Sequence, residues 1–212
     1  MAADERVGVG VLVSGAGTNL RGLLAAAAED SFPARVVAVA TNRPSCPALE
    51  LARAAELDHR SFPGSTFSGD LEARDQAMAS WLLSEGASIL ALAGYDRILT
   101  RALLRTFPGR ILNLHNSLLP AFSGTMNAVA QALEHGVKVT GCTVHLVDED
   151  YLDGGPIVLQ APVAVAPDDT EETLLQRIHQ EEWRIFPAAI ALLAQDRLRV
   201  EGRRVTISPP PA

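Results

Sequence analysis

The strongest constraint on this chain's fold is a series of short apolar runs that lack polar alternation. Residues 7–13 read VGVGVLV, 35–40 RVVAVA, 88–93 SILALA and 111–115 ILNLH. A strand with one wet face alternates polar and apolar residues, whereas one covered on both faces does not; such strands are typical of parallel sheets. Helical patterns fall between them at 20–28, 48–57, 71–84 and 100–106, with a short further strand at 59–62. Strands alternating with helices at this spacing predict an α/β fold: a doubly wound, mostly parallel, Rossmann-like sheet with helices on both faces. After Pro120 the pattern changes to a short helix at 127–134 and two longer strands at 139–147 and 157–165. A long helix then spans 170–194, and Pro187 should bend or interrupt it. The proline-rich tail is expected to fray. Without a linker or repeat, one domain is expected over 1–212, with halves at about 1–107 and 108–200.

Composition narrows the function. Eighteen basic and 25 acidic residues give a net charge of −7, without the basic footprint that phosphate-backbone binding needs. No nucleic-acid partner is expected. Lys138 is the only lysine and no G-K-[ST] loop occurs, which argues against a Walker-type site and Schiff-base chemistry. Cys46 and Cys142 stand far apart without C-x-x-C spacing and read as reduced core thiols. No apolar run approaches the length of a membrane span, and the charged N-terminus is no signal peptide. A cytoplasmic chain without membrane association is expected.

Several residues carry candidate chemistry. Gly15-x-Gly17-Thr18-Asn19 lies between a buried strand and a helix, where glycines admit close backbone approach and free N–H groups can meet an anion. Leu20 replaces the third glycine of the dinucleotide fingerprint, so a mononucleotide or sugar phosphate fits better; a tight turn capped by Thr18 or Asn19 is the alternative. Asn113 and His115 are two apart on a strand and share a face near its carboxyl end. An amide beside an imidazole can hold an oxyanion and move a proton. Asp153 opens Asp153-Gly154-Gly155-Pro156, which allows a carboxylate to face a pocket. The acidic loop before it, with Asp148, Glu149 and Asp150, reads as a solvated loop rather than a metal site. Glu182 interrupts the apolar stripe Leu174, Ile178, Phe186, Ile190, so it needs either a buried cation or a ligand donor. His145 reads as a packed histidine.

With those residues in place, the chain resembles the glycinamide ribonucleotide (GAR) formyltransferases of purine synthesis. Four segments carry the likeness: Val13-Ser14-Gly15-x-Gly17-Thr18-Asn19-Leu20, Leu92-Ala93-Gly94-Tyr95-x-Arg97-Ile98-Leu99, Asn113-x-His115-x-Ser117-Leu118-Leu119-Pro120 and Leu152-Asp153-Gly154-Gly155-Pro156. The resemblance implies a phosphate-binding first half and a catalytic, folate-binding second half. It implies transfer of formyl from the co-substrate 10-formyltetrahydrofolate to the GAR amine, with no metal, by a monomer or homodimer. Asn113, His115 and Asp153 match the family's catalytic trio. Gly17, Thr18 and Asn19 match its phosphate and ribose site, and Glu182 matches the carboxylate at the substrate's amine end. The folate pocket would involve Asp96, Arg97, Ile98, Leu99, Asn113, Asp148, Glu149, Leu152 and Asp153.

The sequence also departs from that pattern. Asn116 replaces a proline, and Asp96 replaces an apolar residue. The stretch 122–127 and the loop before Asp153 are each one residue longer, and an arginine expected near 69–71 is absent. Formyltetrahydrofolate deformylase and methionyl-tRNA formyltransferase share some of these motifs. The former normally adds an N-terminal regulatory domain and the latter a basic C-terminal one. A catalytically inactive phosphate-ligand binder is the alternative from another class.

Overall fold

The computed structural model describes residues 5–147 and 153–210 of the 212-residue chain. In chain order the first half contains β1 (Val7–Val13), α1 (Thr18–Ala27), β2 (Ala34–Thr41), α2 (Ala48–Ala54), β3 (Asp58–Ser61), α3 (Leu71–Ser84), β4 (Ile89–Leu92) and α4 (Arg101–Thr106). The second half contains β5 (Ile111–His115), α5 (Ala128–Glu134), β6 (Val139–Leu146), β7 (Ile157–Ala164), α6 (Glu171–Ala194), β8 (Leu198–Glu201) and β9 (Arg204–Ile207).

β1 to β7 form one sheet in the order β3-β2-β1-β4-β5-β6-β7. The first five strands are parallel, and β6 and β7 are antiparallel additions. This is the doubly wound sheet expected from the sequence. Two cores cover its faces. Val9, Val11 and Val13 pack with Leu20, Leu23, Ile178 and Phe186 on one side, whereas Leu12 packs with Met78, Leu82 and Leu103 on the other. The VGVGVLV run follows directly from that layering. A side chain at Gly10 would sit 2.8 Å from Leu82 Cδ2, so the missing Cβ lets α3 lie close against β1.

Caps mark the helix starts. Asp70 accepts from Ala73 N at 3.0 Å to open α3, and Thr170 and Thr173 form a reciprocal capping box on α6. Helix α6 continues through Pro187, so the expected interruption does not occur. Buried Ile185, Phe186, Ala189 and Ile190 flank the proline, and their packing offsets its lost hydrogen bond. A second difference is the β8–β9 hairpin, where the sequence reading saw only tail. It turns at Gly202-Arg203, and Ser208 N donates to Arg197 O at 2.9 Å at its open end. Among the described residues, no helix is long and apolar enough to cross a membrane. Cys46 and Cys142 are both buried and unpaired.

Candidate active site

The sheet order reverses direction between β1 and β4, and α/β sheets bind ligands at the carboxyl side of such a switch. A cleft of about 390 Å³ opens there. Asn113, His115, His145 and Asp153 line it, as do Asn19, Glu182 and the 94–99 loop.

Asn113 and His115 come from the end of β5 as expected, and Asp153 reaches them from the turn before β7. Asn113 Nδ2 donates to Asp153 Oδ1 at 3.2 Å, and His115 Nδ1 lies 3.4 Å from Asp153 Oδ2. Asp153 Oδ2 also accepts from the Gly124 N–H at 3.0 Å. Burial would raise the Asp153 pKa. The imidazoles of His145 and His115 and the Gly124 N–H outweigh it, holding the carboxyl below its ordinary value. His145 Nε2 lies 3.7 Å from Asp153 Oδ1, beyond hydrogen-bond distance. The remaining nitrogen of His115, Nε2, lies 2.9 Å from Phe122 O.

His145 is buried as the sequence suggested, yet it also belongs to the site. The antiparallel pairing sets it opposite Asn113, and its Nε2 lies 3.1 Å from Asn113 Nδ2. Its Nδ1 faces Leu146 O at 2.9 Å. A proton on Nδ1 would therefore leave Nε2 free to accept from Asn113. Beneath them, Thr143 donates to Ser117 O at 2.7 Å and accepts from Leu119 N at 3.0 Å, fixing the chain beyond β5.

Across the cleft, Gly17 has φ +79 and precedes α1, whose N-terminus no side chain caps. A Cβ at Gly17 would meet Ala48 Cβ at 2.8 Å, so the glycine serves both its backbone conformation and the α1–α2 contact. Gly17 and Thr18 start the helix beside the cleft, and Asn19 alone of the three lines it. Asn19 Nδ2 donates to Glu182 Oε2 at 3.0 Å, while Asn19 Oδ1 is buried without a partner. Burial, opposed only by that bond, pushes the Glu182 carboxyl up to about 7. Among the described residues its basic-type neighbour is His179, whose Nε2 lies 3.8 Å away.

The 94–99 loop forms the third wall. Leu99 is buried, Ile98 is 72% exposed, and Met126, also exposed, lines the same cleft. The Asp96 carboxylate is taken up by Asn42 and Arg43. Behind this wall lie Arg74 and Asp75, a buried ion pair that the sequence reading missed. Asp75 Oδ2 accepts from Thr100 N at 2.8 Å and so anchors the start of α4. Tyr95 sits near that pair, and burial pushes its phenol up to about 12. Asp148, Glu149 and Leu152 fall outside the described residues.

The chain belongs to the formyl transferase family, whose model matches residues 8–190. Among its relatives is the phosphoribosylglycinamide formyltransferase of Mycobacterium tuberculosis, 45% identical over 205 residues, with 93% of this chain and 89% of the relative covered. The crystal structure of glycinamide ribonucleotide transformylase 1 from Symbiobacterium toebii matches with a TM-score of 0.92 and 47% identity, covering 97% of this chain and 96% of that one. A formyltetrahydrofolate deformylase from Pseudomonas syringae pv. tomato has a TM-score of 0.87 at 23% identity, with 97% of this chain and 67% of that one covered. That last likeness is one of fold.

Proposed function

We propose that this chain transfers the formyl group of 10-formyltetrahydrofolate to the amine of glycinamide ribonucleotide, as a step of purine biosynthesis. The observation that carries the reading is the arrangement of one cleft. Asn113, His115 and Asp153 meet on one side, and on the other the unpartnered Asn19 Oδ1 stands beside the Glu182 carboxyl, which accepts a hydrogen bond from Asn19 Nδ2. A site for hydrolysis alone has no need of that second side.

In this reading the uncapped start of α1, with Gly17, Thr18 and Asn19, receives the substrate phosphate and ribose. Glu182 and Asn19 Oδ1 accept hydrogen bonds from the amine end. The folate enters between the 94–99 loop and Met126, with Arg97, Ile98 and Leu99 against its ring system. Asp148, Glu149 and Leu152 are assigned to the same pocket on resemblance alone.

The amine nitrogen attacks the formyl carbon, and the charge that gathers on the formyl oxygen is met by Asn113 Nδ2 and a His115 N–H. For these groups to serve, the formyl oxygen must take the place that Phe122 O holds at 2.9 Å from His115 Nε2, and Asn113 Nδ2 must give up one of its bonds to Asp153 Oδ1 and His145 Nε2. Asp153 stays ionised at neutral pH and faces the His115 ring, supporting its proton through the reaction. Collapse of the tetrahedral centre breaks the bond from carbon to the folate nitrogen, and the proton lost by the amine passes to that nitrogen. The new bond is the amide of formyl-GAR, and tetrahydrofolate leaves.

The test is stoichiometry. Formyl-tetrahydrofolate should be consumed slowly alone and rapidly once GAR is added, with one formyl-GAR made per folate released. Equal consumption with and without GAR would favour a deformylase. GAR binding without turnover would favour an inactive binder.

A further inference from the structure

We propose that Ser14, Asn42 and Asp96 form a positioning ring that holds the phosphate side of the cleft at a fixed distance from its folate side. The inference rests on the two-substrate reading above. Ser14 follows β1 and adjoins the Gly15–Asn19 turn, Asn42 follows β2, and Asp96 lies in the loop after β4. Three hydrogen bonds close a circle through them. Asp96 N donates to Ser14 Oγ at 3.0 Å, Ser14 Oγ donates to Asn42 Oδ1 at 2.6 Å, and Asn42 Nδ2 donates to Asp96 Oδ1 at 2.9 Å.

Every polar atom in the circle has a suitable partner, and Ser14 and Asn42 are buried. Such a satisfied buried network is rigid. The backbone bond from Ser14 N to Gly94 O, 3.0 Å, runs alongside it. Outside the circle Arg43 pairs with the second Asp96 oxygen, and Arg97 Nε lies 3.7 Å from the first. The carboxylate is therefore neutralised from behind rather than offered to a ligand. Burial would raise its pKa, yet the Asn42 amide and the two arginines hold it low. Asp96 thus acts on the folate wall by fixing the loop that bears Arg97 to Leu99.

Neither Ser14 nor Asn42 lines the cleft. Their effect should fall on the relative placement of two bound substrates rather than on the binding of either. Formyl transfer depends on that placement, and a misplacement of ~1 Å can cost ~10²-fold in rate.

The experiment compares wild type, Asn42→Leu, Asn42→Asp and the swap Asn42→Asp/Asp96→Asn at pH 8. Readouts are kcat, both KM values and the ratio of formyl lost to water over formyl delivered to GAR. Asn42→Asp sets two carboxylates against each other. The swap restores the circle, because the amide at 96 can donate to the carboxylate at 42. Each single variant should lose ~10- to 100-fold in kcat, with both KM values within about threefold and a higher share of hydrolysis. The swap should return kcat to within about threefold of wild type.

Single variants within about twofold of wild-type kcat would overturn the proposal. So would a swap no better than Asn42→Asp, a comparison that decides the matter even if Asn42→Leu fails to fold. Absence of formyl-GAR from the wild-type reaction would instead refute the two-substrate reading.

Discussion

Replacing Glu182 by glutamine removes a charge that α6 carries into the apolar interior. Glu182 is 2% exposed, accepts one hydrogen bond from Asn19, and faces a half-buried His179 at 3.8 Å. Its carboxyl is pushed from 4.5 to about 7, mainly by burial. The folded protein therefore holds this proton more tightly than the unfolded chain. The resulting stability is complete below about pH 4.5 and is lost as the pH rises through about 7. At about 1.4 kcal/mol per pH unit, ionised Glu182 costs about 3 kcal/mol relative to its protonated form by pH 8.5. Glutamine keeps the shape, cannot ionise, and can donate to the unpartnered Asn19 Oδ1. His179 is shifted down by burial and gives wild type an opposite slope, with stability gained as pH rises toward 6.5. Comparing the two proteins at each pH reduces that contribution to whatever His179 and Glu182 share.

Urea denaturation followed by circular dichroism at pH 4.5, 7 and 8.5 measures the difference. The two proteins should be nearly equal at pH 4.5, and Glu182→Gln should be more stable by about 3 kcal/mol at pH 8.5. The same variant should raise the GAR KM, because a carboxylate kept for an amine at the expense of stability is a common trade at functional sites. A stability difference that does not change with pH would refute the reasoning, as would a variant less stable than wild type at pH 8.5.

Further substitutions address the remaining roles. His115→Ala should lower kcat by ~10²- to 10⁴-fold, and Asn113→Ala by ~10²- to 10³-fold, both proteins remaining folded; near wild-type turnover in either would remove that residue from the chemistry. Asp153→Asn should lower kcat while leaving the GAR KM within about threefold, since its carboxylate faces His115 and Asn113 rather than the phosphate side. Gly17→Val should lower thermal stability, because the new side chain meets Ala48 and the backbone sits at φ +79; an unchanged melting temperature would contradict that geometry. Gly15→Ala has open space around it and should fold normally, so a raised GAR KM in that variant would report on the phosphate turn directly.

The strands and helices were legible because each is written in a local period. The runs at 7–13 and 35–40 became the interior strands β1 and β2 with bounds within a residue. The β8–β9 hairpin was not seen, since strands of four residues with mostly exposed side chains carry little apolar alternation. Its cue was Gly202 between Val200 and Val205. Of the bend or break expected at Pro187, the break does not occur, because local propensity counts the lost hydrogen bond but not the packing around it.

The site divides in the same way. Asn113 and His115 could be paired from sequence, because a strand places i and i+2 on one face, and Glu182 stood out as a charge on an apolar stripe. Asp153 was selected by its glycine-flanked turn and by resemblance. Which groups these residues would meet was decided by tertiary structure. His145 joins the site because β6 runs antiparallel to β5 and sets it against Asn113, a register no local pattern encodes. Glu182 finds Asn19, 163 residues away, only because α1 packs against α6. The Ser14–Asn42–Asp96 circle exists because three strands end side by side in the order β2-β1-β4. Periodicity reports which way a side chain faces relative to its own backbone. Its partners are fixed by how separate elements pack, and that is a property of the assembled sheet.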